Sequence, residues 1–537
     1  MKLFIISLFW INILSAQPEY GISVFGDHQY KEGRPLNDVN PNAPKGGSLH
    51  LGLIGSYDTL NPSLLKGQSA AYISEVIFDS LMFRSPDEPF AMYGLLAEKA
   101  DLAPDKSKIV FYLNPKARWA DGRPVTADDV LFTYHLYKEK GRANQRIVYK
   151  KIKGVRKIDD LTVEFTFEKI PEQNEYDPEL PIIMGMMRVM PKHFWEGKDY
   201  ESYTLKPILG SGPYRIKSFE PGRSIEYELR DDYWGRDLPV NKGRYNFKQI
   251  KIDYYREKNV ALEAFKAGKY DIREEDDPVI WQTKYNFPAV KKGLIKKIEV
   301  PLGTPPGCFA IALNQRNPTL QDIRVRRALN LMFDFEWINK NLFNNGYKRT
   351  DSFFVHTDMA SSGLPEGDEL LLLEKFRDQL PPEVFTTVFE KPQSDGSGQQ
   401  REAQREAQKL LKEAGWEIKG GILKNAQGEP FALNLIIDTP IHEKMLLAYK
   451  KSLSKVGITL NIRLLDPAQY NRRMVDYDFD MLLFNWHHTY SPGREQAYYW
   501  SSEAAQKPGT RNYNNIQNPV VDELCELLQL SADSVYR

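Results

Sequence analysis

Residues 108–141 read KIVFYLNPKARWADGRPVTADDVLFTYHLYKEKG. Lys108 to Asn114 predicts a strand, because a short apolar run rich in β-formers is bounded by a turn-forming Asn-Pro. Ala120-Asp121-Gly122 predicts a turn. Thr126-Ala-Asp-Asp129 then starts a helix: threonine caps the free backbone N–H groups, and the carboxylates sit at the positive end of the helix dipole. The helix runs to Gly141, read as its C′ residue. Strand, turn and capped helix in one stretch predict a mixed α/β protein.

The same alternation continues outward. Leu161, Val163, Phe165 and Phe167 alternate with polar residues and predict a half-buried strand. Asp322 caps a helix that buries Val325, Ala328, Leu329 and Met332. Ala403, Ala407, Leu410, Leu411 and Ala414 mark a second helix, stopped by Gly415. Leu446, Tyr449, Leu453 and Val456 mark a third, stopped by Gly457. Ile458, Leu460, Ile462 and Leu464 alternate as a strand. Phe479–Trp486 reads as a central strand, apolar apart from Asp480 and Asn485. Pro519–Leu530 is helix-like. The Pro/Gly-rich segment Pro301–Gly307 lies between strand-like Ile295–Val300 and Phe309–Leu313 and reads as a crossing between domains. Gln393–Gln400 is a polar loop.

At 537 residues the chain exceeds the roughly 250–300 residues that one core usually reaches, so two or three domains are expected. A composition of 42% hydrophobic and 27% charged residues excludes disorder, collagen-like repeats and disulfide scaffolds. Lys+Arg and Asp+Glu are both 72, which removes support for a nucleic-acid binder. The 29 Tyr, 27 Phe and 9 Trp fit a large core with surface tyrosines, or a ring-lined ligand cleft. Met1-Lys2, the apolar run from Leu3 to Ile13 and the small Ala16 predict a secretory signal peptide over residues 1–16. That run is too short to span a bilayer as a helix. With no cysteine near the cut, a lipid anchor is not expected, and the reading is a free periplasmic protein. Cys308 and Cys525 belong to no C-x-x-C pair. They read as isolated buried thiols, although an oxidising compartment would permit a bridge.

Catalytic signatures are absent: no G-x-S-x-G, P-loop, G-x-G-x-x-G or H-E-x-x-H. His442-Glu443 comes nearest to the last, but Leu446 stands where the second histidine would be, and it reads as a solvated helix start. Asp128-Asp129, Asp231-Asp232 and Asp276-Asp277 read as turns or helix starts, not a glycosidase pair. No catalytic residue, metal site or cofactor is therefore assigned. His487-His488 leaves a metal site, a polar ligand contact and a structural role open. Trp486 is either core or a pocket wall.

Leu95-Leu-Ala-Glu98 and Phe111–Phe132 resemble the signature of the family 5 extracellular solute-binding proteins, the peptide- and nickel-type binding components of ABC importers. Gly210-Ser-Gly-Pro-Tyr-Arg-Ile216, Asp231-Asp-Tyr-Trp234, Ile323–Leu329 and Ala407–Trp416 resemble later blocks in family order. Tyr20-Gly-Ile-Ser23, Asn40–Gly47, Tyr57–Pro62, Ala360–Pro365, Phe376–Phe385, Asp395–Gly398 and Trp486–Gln496 are most similar to the YejA-type subgroup, associated with oligopeptide and microcin C uptake.

The resemblance implies a two-lobed, Venus-flytrap periplasmic-binding-protein fold with a third subdomain inserted into lobe one. Lobe one would comprise 17–62 and 207–300, the insertion 63–206, and lobe two 301–537. It implies an inter-lobe cleft, closure on an oligopeptide, and delivery to permease subunits in the inner membrane by a monomer. Trp486, His487, His488, Tyr490, Arg494 and Glu495 are the expected ligand contacts, with Tyr57, Asn61 and Trp234 from lobe one. Arg494 would meet the peptide carboxylate and Glu495 the amine. Relatives carry an aspartate three residues after the cleft tryptophan, where this sequence has Thr489, so the amine needs another carboxylate or another reading. The resemblance also implies a C-terminal return to lobe one, and the chain ends at Arg537 before it. The competing readings are the same fold with a nickel complex, haem or an oligosaccharide as ligand, a chaperone-like binder of long chains, and a secreted hydrolase.

Overall fold

The computed structural model describes residues 18–530, apart from 27, 63–67, 89, 142, 171–174, 201–203, 302–304, 358, 489–491 and 494. The expected signal peptide lies outside these residues. The described chain divides into two compact units, one up to Glu274 and one from Glu275. The division precedes the crossing read at Pro301–Gly307. Helix Pro278–Thr283 belongs to the second unit: Gln282 donates to the Asn344 carbonyl at 3.0 Å, and Pro278 packs where a Cβ on Gly346 would stand.

The first unit holds two four-stranded sheets and a three-stranded one. In one, Ser48–Ile54 pairs parallel with Gln249–Tyr255, and Ser224–Leu229 and Tyr214–Glu220 follow antiparallel. The other is wholly antiparallel, in the order Ala97–Leu102, Lys108–Leu113, Thr162–Phe167, Ile152–Asp159. A single apolar core runs from Ile22 to Ile252 and takes in both, so the stretch read as an insertion shares its core with the rest of the unit.

The deciding stretch folds as its residues dictate. Helix Ala127–Lys140 opens on a reciprocal capping box between Thr126 and Asp129. Trp119 is fully buried and donates Nε1–H to Asp129 Oδ2 at 3.3 Å, tying the turn to the helix start. Gly141 ends the helix, but in an extended conformation (φ −65°), not the left-handed one expected of a C′ glycine. Glycine stands there because a Cβ would lie 2.3 Å from the Tyr137 carbonyl oxygen.

The second unit is built on one four-stranded sheet, in the order Cys308–Leu313, Met481–Trp486, Ala432–Ile437, Thr459–Leu464. Met481–Trp486 is central, as expected, antiparallel to the first strand and parallel to the third. Helices Ile323–Leu331, Arg401–Glu413 and Glu443–Ser454 bury the residues read for them: Val325, Ala328, Met332, Ala407, Leu411, Leu446 and Leu453 are all inaccessible. Gly415 and Gly457 take the positive φ that stops the latter two helices.

Three expectations need correction. Ile295–Val300 forms no strand; no strand pairs with it among the described residues, and Ile298 and Val300 are 67% and 70% exposed. The alternation of Ile458–Leu464 fades at its end, where Leu464 is exposed. His442 is half-buried, not solvated: its ring lies 5.2 Å from that of Phe309, and burial lowers its pKa despite Asp438.

Candidate functional site

The central strand of the second unit sets the candidate surface. Its last residue, Trp486, pairs with Cys308, and the chain leaves the sheet at His487. Trp486 is 1% exposed. Its ring stacks on Trp500 at 5.5 Å, and its Nε1–H is donated to the Arg511 carbonyl at 3.3 Å. Of the two readings open for Trp486, the structure places it in the core, with Trp500 as the half-buried ring covering it. Phe353, 47% exposed, packs edge-on against Trp500 at 4.8 Å.

The two histidines separate. His487 is exposed and His488 is buried. The His488 ring lies 4.7 Å from Phe354, and its Nδ1 faces Gln496 Nε2 at 3.3 Å. Burial lowers its pKa, with Glu495 opposing and His487 adding to the fall, so the imidazole is held neutral and able to accept as well as donate. Gln496 is 2% exposed and links the cluster: it accepts from Trp500 Nε1 at 2.9 Å and donates to Glu495 Oε1 at 3.3 Å. Glu495 also accepts from the Gly493 N–H at 3.0 Å and stays partly exposed. Tyr499 donates to the His487 carbonyl, and Arg511 donates to the Tyr499 hydroxyl at 3.2 Å. Tyr490, Arg494 and Thr489 lie outside the described residues. No group of three or more His, Cys, Asp or Glu among the described residues could hold a metal ion.

Trp486, His488 and Glu495 are thus joined through three residues that the sequence reading missed: Gln496, Tyr499 and Trp500. The aromatic run Tyr498-Tyr499-Trp500 was a visible signal. Phe353, Phe354 and Arg511 carried none, because distant loops bring them in.

The first-unit candidates are structural where they stand. Tyr57 is buried, and its hydroxyl is shared between the carbonyls of Ser224 (2.7 Å) and Glu220 (3.1 Å). Asn61 is fully buried and donates to the Tyr200 carbonyl at 2.6 Å. Trp234 donates Nε1–H to Asp79 Oδ2 at 3.1 Å, beside Tyr233, whose hydroxyl donates to Asp79 Oδ1 at 3.0 Å. Two quoted motifs meet at Asp79, since Ser211 Oγ of Gly210–Ile216 accepts from its backbone N–H at 3.1 Å. Gly210 and Gly212 are required by close approach: a Cβ on Gly210 would lie 1.9 Å from the Ile77 carbonyl oxygen.

Both cysteines are free and buried. Burial pushes each thiol up to about 11, which keeps it protonated and inert.

Residues 91–508 match the family model for bacterial extracellular solute-binding proteins, family 5 Middle. A probable peptide-binding protein YejA of Agrobacterium fabrum is 41% identical over 515 residues, covering 94% of this chain and 83% of its own length. A peptidoglycan-binding protein YepA of the same organism is 36% identical, covering 96% and 85%. The oligopeptide-binding protein AppA of Bacillus subtilis, solved with a nonapeptide, superposes with a TM-score of 0.62 over 92% of this chain and 89% of that one, at 20% identity. That likeness carries the two-lobed solute-binding fold. With a family match over most of its length, this chain belongs to the bacterial extracellular solute-binding proteins, family 5.

Proposed function

We propose that this protein is the periplasmic binding component of an ABC importer, capturing oligopeptides and handing them to inner-membrane permease subunits. The observation that carries the reading is the 41% identity to a probable peptide-binding relative across nearly the whole chain. The second unit supplies a surface suited to the task. Trp500 and Phe353 offer ring faces to side chains, while buried Gln496 and His488 and the partly exposed Glu495 offer fixed polar groups. Glu495 suits a peptide amine, in place of the aspartate absent at Thr489. Arg511 joins Arg494 as a candidate for the carboxylate. An extended peptide satisfied through its backbone, with side chains in permissive wet pockets, suits broad sequence tolerance. The protein acts as a monomer and turns nothing over.

A second reading follows from the 36% identity to a relative named for peptidoglycan binding: the ligand would be a peptide of cell-wall origin. One experiment separates the readings. The purified protein is heated against a tri- to decapeptide library and, in parallel, against cell-wall fragments, and retained ligands are identified by mass spectrometry. A ligand that binds only the native state raises the midpoint by mass action. Intact peptides recovered with a raised midpoint support the first reading, cell-wall fragments alone support the second, and cleaved peptides overturn both in favour of a hydrolase.

A further inference from the structure

The chain order of the second unit's sheet marks one place where a ligand fits. Strand Ala432–Ile437 leads through helix Glu443–Ser454 to Thr459–Leu464, its parallel neighbour on one side. Helix Pro467–Val475 then leads to Met481–Trp486, its parallel neighbour on the other side. The two helices cover opposite faces of the sheet. Leu446 and Leu453 lie in the core cluster of Leu433 and Leu435, whereas Tyr470 and Met474 pack on that of Ile436 and Leu482. The connections therefore part outside the carboxyl ends of Ala432–Ile437 and Met481–Trp486. Such a reversal of strand order leaves a crevice there, and ligands of open α/β sheets occupy it.

The residues that follow the two strands flank this crevice: His487 after Trp486, and Asp438 after Ile437. The register pairs Leu435 with Met481 and Ile436 with Leu482. Continued by two residues, it sets Asp438 beside Phe484, on the face that Ile436, Leu482 and Trp486 share. Tyr470 packs on that same cluster, and burial, with the Asp438 charge adding to it, raises the Tyr470 pKa to about 12. His442, whose ring lies 5.2 Å from that of Phe309, is within reach of the same charge.

Other carboxylates near this edge are engaged. Glu495 accepts from the Gly493 N–H and from Gln496. Asp466, which follows Leu464, accepts from the Gln469 N–H at 3.0 Å. Asp438 is exposed, and no described residue gives its carboxylate a hydrogen bond or an ion pair. Arg463, opposite Ile436 on the neighbouring strand, makes no salt bridge with it.

We infer that, where the ligand is the peptide proposed above, Asp438 receives a lysine or arginine side chain of that peptide. A free carboxylate beside a crevice attracts a cation and repels an acidic side chain, so it sorts ligands by charge. The rings of Tyr470 and Phe484 suit the other half of such a side chain: its methylene stem lies along apolar surface while its charged head reaches the carboxylate. The peptide amine stays with Glu495, nearer Trp500. Asp438 thus adds a preference for basic sequences to a surface that otherwise reads the peptide backbone.

The test is calorimetric titration of the whole protein with penta-alanine peptides carrying one lysine at each position in turn, and with the same set carrying glutamine instead. At one position or more, the lysine peptide is expected to bind about tenfold more tightly than its glutamine counterpart, a difference of roughly 1.4 kcal/mol. Asp438→Asn should bring that lysine peptide down to the level of the glutamine one. Asp438 is exposed, so the isosteric amide does not disturb the fold, and an unchanged thermal midpoint checks this. Equal affinity for lysine and glutamine peptides at every position would overturn the assignment, as would a lysine preference that survives Asp438→Asn. An equal fall for both peptides in the variant would give Asp438 the α-amine they share and overturn the side-chain assignment. Binding of no peptide at all by the wild type would overturn the peptide reading and this assignment with it.

Discussion

Asp79 shows how much of the first unit turns on single residues. It is buried beside Arg230, between the hydroxyl of Tyr233, the indole of Trp234 and Ser211, and burial raises its pKa to about 6 against these donors and that cation. Because the folded pKa lies above the ordinary 3.8, the fold favours the protonated carboxyl. Its contribution to stability is greatest below pH 3.8, falls as pH rises to about 6, and is constant above. The cost at neutral pH is of order 3 kcal/mol. Asp79→Asn cannot ionise. Denaturant unfolding from pH 4 to 7.5 should therefore show the wild type losing stability relative to the variant by about that amount. Parallel curves would remove the titration from Asp79. A second contrast belongs to glycine. Gly210→Ala must push the Ile77 backbone aside and should cost about 3 kcal/mol or more, whereas Gly122→Ala meets open space and pays only for φ +85°, about 1–2 kcal/mol. Equal losses in thermal midpoint would contradict the close-approach argument.

At the scale of elements, legibility followed locality. Asp322 was readable as a cap because its partner is two residues away: its side chain accepts from the Arg324 N–H at 2.8 Å. Asp322→Ala should cost about 1 kcal/mol in urea unfolding and Asp322→Asn much less, since asparagine keeps the cap. An equal loss in both would assign the effect to the Arg324 ion pair instead. The central strand at Trp486 was equally legible, as an apolar run broken only by Asp480 and Asn485. Ile295–Val300 was misread because a strand exists only when another chain segment pairs with it, and no local pattern records that partner. The candidate site divides in the same way. Trp486, His488 and Glu495 were readable in one stretch, but Phe353, Phe354 and Arg511 join them through loops more than a hundred residues off, or with no period to mark them. Trp486 is also a worse probe than its position suggested. Trp486→Ala should unfold the strand end at a cost of about 3–5 kcal/mol, whereas Phe353→Ser removes an exposed ring and should weaken peptide binding about tenfold with little change in stability. Unchanged calorimetric affinity in Phe353→Ser would take this ring out of the ligand surface.

For the whole molecule, the division at Glu274 makes the two cysteines a reporter of one unit only. Both lie in the second unit, and both are free, buried and protonated. Cys308 is the cross-strand partner of Trp486, so it cannot meet a thiol reagent until the strand end that carries the aromatic cluster opens. Cys525 sits on helix Pro519–Leu530, away from that strand end in sequence and outside its apolar cluster. In the native protein both should label far more slowly than an exposed thiol, and denaturant should release both. Peptide adds the discriminating step. If ligand binds across Trp500 and Phe353, opening near Cys308 requires its release. At a concentration about 100 times Kd, labelling of Cys308 should then slow by up to about a hundredfold, the kinetic face of roughly 2.7 kcal/mol of linkage. Cys525, on a helix tied to the Ser502 N–H through Asp522 at 2.7 Å but outside that cluster, should slow less. Equal slowing at both thiols would mean that the second unit opens only as a whole, and no slowing at Cys308 would place the peptide elsewhere. A residue-specific rate thus reads out where the ligand sits without disturbing any side chain proposed to touch it.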